Sequence, residues 1–216
     1  MEGEQIEKEE NKFSAVLDNC DIDEAEEVCS QAVEDILNKT LGDVDVSEEL
    51  QALCGKVVSE NKSSQKLYKS ICDTVTRYVT LNKLEKLLDQ LEDGNFVKIV
   101  NVIWEDFYFH IHEINQIFTP LQEYCHSKEL ESVQVASLKI FRDELILTDN
   151  VLDYLQKNLK DQMERYRGGE FVLRSDIRKS CFMLKTLDFN EKHEKYAGKF
   201  EENFLKNCFE FYESQI

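Results

Sequence analysis

Residues 96–118 read FVKIVNVIWEDFYFHIHEINQIF, an unbroken run in which large apolar side chains recur every three or four positions. This spacing places them on one face of an α-helix about six turns long. The recurring positions are Val97, Val100, Trp104, Phe107, Ile111, Ile114 and Phe118. Pro120 follows, and because proline removes a backbone hydrogen bond it predicts a kink near Gln116. The stretch therefore predicts a long helix that buries its Trp104 face in the core.

The same period continues on both sides of this run, while residues 61–64 are polar and are predicted as a loop. The further predicted helices cover residues 23–39, 47–59, 67–80, 132–147, 150–166, 174–187 and 196–212. One proline and seven glycines among 216 residues are few helix breakers for so many helix formers. The sequence predicts an all-α fold.

The last fifty residues predict a helix, a glycine turn, a helix, a loop and a final helix. Residues 164–170 read ERYRGGE, in which Gly168-Gly169 is typical of a helix C-cap and turn. Residues 177–184 read IRKSCFML, an apolar helical run in which Cys181 is predicted to be a buried small side chain. Residues 200–212 carry aromatic side chains at helical spacing.

The chain is strongly acidic, with 44 Asp and Glu against 26 Lys and Arg and a net charge of −18. Such a surface repels phosphate backbones and anionic lipids, so we expect neither nucleic acid nor a membrane as a partner. Partners selected by the overall charge should be basic or nearly neutral. Residues 1–22 are expected to form an acidic, disordered arm whose apolar patch is Phe13–Leu17.

Cysteine usage indicates a reducing compartment. The seven cysteines are widely and irregularly spaced without a Cys-x-x-Cys pair, so reduced thiols are expected rather than a disulfide framework. The first residues show no secretory signal, and no apolar run approaches the roughly 20 residues that span a bilayer. We therefore expect the protein in the cytoplasm and nucleus.

No group of residues in the sequence points to catalysis, a metal or a cofactor. His110 and His112 are two positions apart, so on a helix their side chains point about 200° apart and cannot share a metal. Gly168-Gly169 lacks the strand–turn–helix context of a phosphate-binding loop. Carboxylates are frequent, but no pattern assembles two of them in one cleft. We expect a protein that is not an enzyme.

Five segments, in order along the chain, carry a resemblance to a known family. They are Ser47-Glu48-Glu49-Leu50, Lys66-Leu67-Tyr68, Ile103-Trp104-Glu105-Asp106-Phe107, Ile114-Asn115-Gln116-Ile117-Phe118 and Ser137-Leu138-Lys139-Ile140-Phe141-Arg142-Asp143. Together they resemble the amino-terminal domain of the cullins, the helical scaffolds of ubiquitin ligases, over about residues 24–214. Residues 141–145 and 177–184 are most similar to the cullin-3 branch, and the cullin-4 branch is next.

The resemblance implies an elongated stack of helical cullin repeats. The first repeat would be complete over residues 23–147, and a second would begin over residues 148–216. It also implies a scaffold that binds a substrate adaptor of the BTB-domain type, or a WD-propeller adaptor as the alternative. A RING protein would bind only through the carboxy-terminal half of a cullin. That half is not recognisable in the sequence, so a truncated chain or a short relative is expected.

In cullins the adaptor lies on two helices of the first repeat, which correspond here to residues 47–59 and 132–145. The positions that this resemblance assigns to adaptor binding are Ser47, Gln51, Gly55, Val58, Ser59, Gln134 and Val135. The cullin-3 pattern has aromatic side chains at Ser47, Gln51, Gly55 and Gln134. Since aromatics commonly dominate interfaces, their replacement implies a weaker interface, a different adaptor, or compensation by the segment Phe13–Leu17.

An alternative interpretation is a general all-α protein-interaction module unrelated to ubiquitin. Amphipathic helices of unrelated proteins share apolar spacing, so the cullin motifs would then be a coincidence.

Overall fold

The described part of the chain is built from α-helices, which confirms the predicted fold class. The structure is a computed structural model that describes residues 20–40, 47–84, 87, 95–148, 150–188 and 206. No strand occurs within these ranges. The helices are α1 (Ile22–Asn38), α2 (Ser47–Val58), α3 (Asn61–Arg77), α4 (Phe96–Ile117), α5 (Thr119–Ser127), α6 (Val133–Phe141), α7 (Val151–Arg167) and α8 (Arg174–Leu187).

Two predictions fall largely outside the described residues. The arm predicted over residues 1–22 is described only from Cys20 onward, and its apolar segment Phe13–Leu17 lies outside the described part. The helix predicted over residues 196–212 is described only at Lys206.

Polar residues fix where the first helices begin. At α1, the Asp21 carboxylate accepts a hydrogen bond from the Glu24 backbone N–H (2.9 Å), and the Glu24 side chain accepts one from the Asp21 N–H (3.2 Å), which is a capping box. The loop predicted at residues 61–64 was wrong, because α3 already begins at Asn61. There the Ser63 hydroxyl donates to the Glu60 carboxylate at 2.8 Å and the Ser64 hydroxyl to the Glu60 carbonyl at 2.8 Å, so both serines bond to the residue just before the helix.

The predicted kink near Gln116 is a complete break two residues later. Helix α4 ends at Ile117, and Pro120 occupies the first turn of α5. Proline is well accommodated there because the amide of that position has no intrahelical partner in any case. The break at Phe118 therefore separates two regular helices instead of bending one.

Two π-helical stretches directly continue α-helices. The first, Tyr78–Leu84, follows α3, and the second, Arg142–Ile146, follows α6. In the second, the Leu147 N–H donates to the Arg142 carbonyl, five residues back, at 2.9 Å. Each stretch thus holds more residues per turn than the helix before it.

The chain forms two compact units. The first consists of Met1–Asn82 and Asp106–Phe141, and the second of Lys83–Glu105 and Arg142–Ile216. Helix α4 supplies residues to both. This division does not follow the predicted boundary between residues 147 and 148, and the two cullin repeats stay a prediction from the resemblance.

In the first unit, α1, α2 and α3 pack against one another. Helix α5 packs on both α2 and α3, and α6 packs on α3. The Phe107 ring from α4 stacks on the Phe141 ring from α6, with centroids 4.6 Å apart. Its core includes the apolar stripe predicted for α4, since Phe107, Ile111, Ile114 and Phe118 are fully buried.

In the second unit, α7 packs on the π-helical stretch Arg142–Ile146. The Phe96 ring of α4 contacts the Tyr154 ring of α7 at a centroid distance of 6.3 Å. Trp104 and Val100 are buried, as the sequence predicts.

The described cysteines are free thiols, and five of the six lie in the first unit. Burial raises the pKa of Cys54 to about 12 and that of Cys125 to about 11. The prediction that Cys181 is buried was wrong, because its side chain is partly exposed and the neighbouring Ser180 takes the inward position.

Candidate protein-binding face

Helix α2 separates an apolar inner stripe from a polar outer face. Leu50, Leu53, Cys54 and Val57 are completely buried, as the sequence predicts. They contact the helices α1, α3 and α5 that surround α2. Since these neighbours hold α2 by its inner stripe, its opposite face is presented at a fixed orientation within the first unit.

The residues that the resemblance assigns to adaptor binding lie on this outer face. Gln51, Gly55 and Ser59 are exposed, while Ser47 and Val58 are partly buried. Glu48 and Ala52 are exposed on the same face, and the sequence interpretation did not include them. Their spacing of three or four residues from Gln51 and Gly55 was the available signal.

The outer face of α2 leaves open space around Gly55, which has no side chain. A Cβ atom built on Gly55 meets nothing within 4 Å, so neither packing nor backbone geometry requires glycine there. The Ser59 side chain does not project from this surface, because its hydroxyl donates back to the Lys56 carbonyl of the same helix at 2.7 Å. The centre of the face therefore has space for a side chain from another protein.

The two assigned residues of α6 are less accessible. Gln134 and Val135 are both partly buried, and no residue of α6 is fully exposed. The start of the helix is fixed by Ser132, whose hydroxyl accepts a hydrogen bond from the Val135 N–H at 3.3 Å. Gln134 and Val135 thus lie at an ordered helix start.

Helix α3 connects the two parts of the candidate face. Both α2 and α6 pack on α3, whereas they have no extensive contact with each other. Tyr68 of α3 is partly buried, and this burial is the largest cause that raises the pKa of its hydroxyl. The nearby Cys72, Cys125 and Glu131 raise the same pKa to a smaller extent. The segment before α6 is therefore close to α3, in the same unit as α2.

The polar groups in and around this face serve structure. The Lys56 ammonium donates to the Cys20 carbonyl, which connects α2 to the residues that precede α1.

The two histidines of α4 have different environments. His110 is buried and its Nδ1 donates to the Asp106 carbonyl at 2.6 Å, while His112 is exposed beside Gln116. The two histidines thus face different surroundings, as their spacing predicts. Across the described residues, no three His, Cys, Asp or Glu side chains form a group suited to a metal ion.

None of the described helices combines the length and the apolar character required to cross a bilayer.

Comparison with known proteins defines the class. The family described as the cullin alpha solenoid domain matches residues 26–216. The chain belongs to the cullin family. Membership excludes the alternative that the five motifs are a coincidence of amphipathic helices, and it agrees with the all-helical structure.

Among individual relatives, Cullin-3B of Arabidopsis thaliana is 24% identical over 202 residues, which cover 93% of this chain and 26% of that protein. Cullin-3A of the same plant shows the same identity and coverage. Human Cullin-4A is 29% identical over 152 residues, or 68% of this chain and 19% of the relative. The chain spans about a quarter of the length of the curated relatives it matches.

Proposed function

We propose that this chain is the adaptor-binding, amino-terminal part of the scaffold of a cullin-RING ubiquitin ligase. The observation that carries the proposal is the outer face of α2, which leaves Gln51, Gly55 and Ser59 exposed while the inner stripe is buried. Membership of the cullin family supports the scaffold role, because cullins are scaffolds rather than catalysts. Its contribution would be to hold a substrate adaptor at a fixed position and orientation.

A BTB-domain protein is the first choice of adaptor. The similarity to Cullin-3A and Cullin-3B supports it, together with the cullin-3-like segments at residues 141–145 and 177–184. A WD-propeller protein is the second choice, and the similarity to Cullin-4A supports that alternative.

The chemistry of the face suggests how an adaptor would bind. Its outward side chains are uncharged at Ser47, Gln51, Gly55 and Ser59, and none of the four is aromatic, so the face offers a shallow surface without a large apolar anchor of its own. Interface energy is usually concentrated in a few large side chains that fill such surfaces. We therefore expect the adaptor to supply the large side chain and this chain to supply the space above Gly55.

Direct binding measurements test the proposal. The full chain is titrated with a purified BTB-domain protein and, separately, with a WD-propeller adaptor in a calorimeter. We expect the BTB-domain protein to bind. Gly55→Tyr fills with an aromatic ring the space that the adaptor's side chain would occupy, and should therefore weaken binding by about tenfold. If neither adaptor binds the parent chain, the proposal is wrong.

A loss-of-binding variant and a matched control localise the site. Gln51→Lys combined with Val58→Glu places charges on the outer face of α2 and should weaken adaptor binding by at least about tenfold, because charges without partners are costly in an interface. Gln31→Lys introduces a charge at an exposed position of α1 in the same unit and should leave binding unchanged. Equal effects of the two changes would contradict the assignment of α2.

We also propose that the protein acts in the cytoplasm and nucleus. The free thiols support this, because disulfides are rare in reducing compartments. Fluorescence imaging of the tagged chain in cells tests it, and accumulation in the secretory pathway would contradict it.

A further inference from the structure

Helix α8 has a basic outer face, although the chain as a whole is acidic. It contains four Lys or Arg residues and one Asp, whereas α1 contains six Asp or Glu and no basic residue. Arg174, Arg178, Phe182 and Lys185 are all exposed and recur at intervals of four, four and three residues. At this spacing they form one stripe along the helix.

The inner face of α8 explains why this stripe points outward. Ser180, Met183, Leu184 and Leu187 are buried and hold the helix in the second unit. Ser180 donates to the Asn101 side chain of α4 at 2.7 Å. The rotation of α8 about its axis is thereby fixed, so the basic stripe is presented at a defined orientation within this unit.

The connection between α7 and α8 adds two exposed apolar side chains, Phe171 and Leu173, which are 86% and 52% exposed. The connection is an ordered turn. Gly169 has φ = +84°, and the Glu170 N–H donates to the Arg165 carbonyl at 3.0 Å. The Glu170 carboxylate also pairs with the Arg165 guanidinium at 2.7 Å. The turn thus places Phe171 at a set position beside the start of α8.

We define the α8 patch as Phe171, Leu173, Arg174, Arg178, Phe182 and Lys185. Phe182 is 57% exposed, so the patch leaves two phenylalanine rings largely in water. Covering such a ring removes apolar surface from water and therefore favours binding. Aromatic and arginine side chains are also the types enriched in protein interfaces. The composition of the patch is therefore that of a binding surface.

We propose that the α8 patch binds an acidic polypeptide segment of another protein, one that carries apolar side chains between its carboxylates. The carboxylates would pair with Arg174, Arg178 and Lys185, and the apolar side chains would cover Phe171 and Phe182. The net charge of −18 favours basic or nearly neutral partners for the chain as a whole, whereas the α8 patch favours an acidic partner. The inference is independent of the proposed adaptor face, which lies on helices of the other unit.

A second copy of the chain does not supply such a segment in the described residues. Its most acidic helix, α1, would match the charge of the patch. However, the exposed residues of α1 are all polar, and its apolar side chains are buried or partly buried. Docked on the patch, α1 would leave both phenylalanine rings uncovered.

Selection from a random peptide library tests the chemistry of the partner. The full chain is immobilised and used to select phage-displayed dodecapeptides. We expect the recovered peptides to be rich in Asp and Glu together with Leu, Phe or Trp. Recovery of no binders, or of basic or uncharged peptides, would overturn the proposal.

Affinity measurements with one recovered peptide then test the location. The double variant Phe171→Ser/Phe182→Ser removes the rings, and Arg174→Glu/Arg178→Glu reverses the charge. Each should weaken binding by more than about tenfold in fluorescence anisotropy. Added salt should weaken binding to the parent chain, because it screens exposed charges. These side chains are exposed, so circular dichroism should show an unchanged fold.

Matched controls separate the patch from general effects. Phe109→Ser removes a phenylalanine of α4 that is 66% exposed, and Lys62→Glu reverses an exposed charge on α3. Neither should change peptide affinity, nor should the adaptor-face variant Gln51→Lys/Val58→Glu. Loss of peptide binding in these controls, with retention in the patch variants, would overturn the proposal without bearing on the adaptor face.

Two further ligands test the competing chemistries of a basic and aromatic surface. Vesicles of phosphatidylcholine and phosphatidylserine present anionic lipid, and a single-stranded oligothymidine presents a phosphate backbone. We expect binding to both to be weaker than to the acidic peptide, because the chain as a whole carries a charge of −18. Tighter binding to either would overturn the proposal.

Discussion

The hydroxyl of Ser180 donates a hydrogen bond of 2.7 Å to the side-chain oxygen of Asn101, which lies 79 residues earlier in the chain. Both residues are buried, and the Asn101 amide nitrogen donates in turn to the Asp176 carbonyl at 2.9 Å. One polar pair thus joins α8 to the first part of α4 and adds a side-chain donor to a carbonyl in the first turn of α8. In an apolar interior such a pair fixes both the register and the rotation of the helices it connects.

Ser180→Ala should destabilise the protein. The change leaves the Asn101 oxygen buried without its donor, which costs about 1–3 kcal/mol in the free energy of unfolding. Urea unfolding followed by circular dichroism measures the loss. Ser175→Ala, at an exposed position of the same helix, should change stability by less than about 0.5 kcal/mol. Equal stabilities of the two variants would show that the pair contributes nothing.

Gly55→Ala and Gly169→Ala should have opposite effects. Gly55 lies within α2 with open space around its Cβ position, so alanine should stabilise the helix by about 0.5–1 kcal/mol. Gly169 has φ = +84°, where a side chain is strained, so alanine there should destabilise by about 1–2 kcal/mol. Thermal unfolding of both variants measures the difference. A destabilised Gly55→Ala would contradict the open surroundings of Gly55.

Stability should fall as the pH rises above about 9. Burial raises the pKa of Cys54 from 9.0 to about 12 and that of Cys125 from 9.0 to about 11. Below pH 9 both thiols are protonated whether the chain is folded or unfolded. Above it only the unfolded chain ionises, so each thiol lowers the free energy of unfolding by up to about 1.4 kcal/mol per pH unit until its folded pKa is reached.

Urea unfolding at a series of pH values from 8 to 11 measures this slope, with Cys54→Ala as the matched variant. Removal of the thiol should lower stability at pH 8, where it is protonated in both states, and should make the alkaline decline shallower. A decline of the same steepness in the variant would show that Cys54 does not titrate as its burial requires. Cys181, which is partly exposed, should react with a thiol reagent in the folded protein, whereas Cys54 should react only after unfolding.

Asp21→Ala should weaken the start of α1. The change removes the acceptor for the Glu24 N–H and breaks the capping box, which costs about 0.5–2 kcal/mol. Chemical unfolding measures the cost. Asp21→Asn should retain most of the stability, because asparagine caps a helix nearly as well. A loss as large for asparagine as for alanine would argue for a purely electrostatic role of Asp21.

Apolar spacing predicted the helices correctly where no local polar interaction opposed it. The inner stripe of α2 and the bounds of α8 follow directly from apolar spacing, and both are confirmed. The errors occurred where a local polar interaction competed with that rule. Residues 61–64 looked like a loop by their polar composition, yet α3 begins at Asn61 and the hydroxyls of Ser63 and Ser64 donate to Glu60. Pro120 looked like the cause of a kink, yet it begins a new helix.

The candidate site was predictable in part for a related reason. The outward positions of α2 follow from the same period as its inner stripe. In contrast, the partial burial of Gln134 and Val135 depends on the packing of α6, which spacing does not determine. The α8 patch was overlooked because the net charge of −18 of the whole chain conceals the opposite charge of single helices such as α8. Charge counted helix by helix would have revealed it.

The π-helical stretch after α3 changes how this part of the chain is best engineered. Tyr78 and Val79, at the start of this stretch, are both buried, and the wide turn that follows holds more residues than an ordinary α-helical turn. A one-residue deletion between Tyr78 and Leu84 could be absorbed by tightening the wide turn into a normal one. The same deletion in the middle of α3 would turn every later side chain by about 100°. Tolerance to length changes should therefore be concentrated in this short segment.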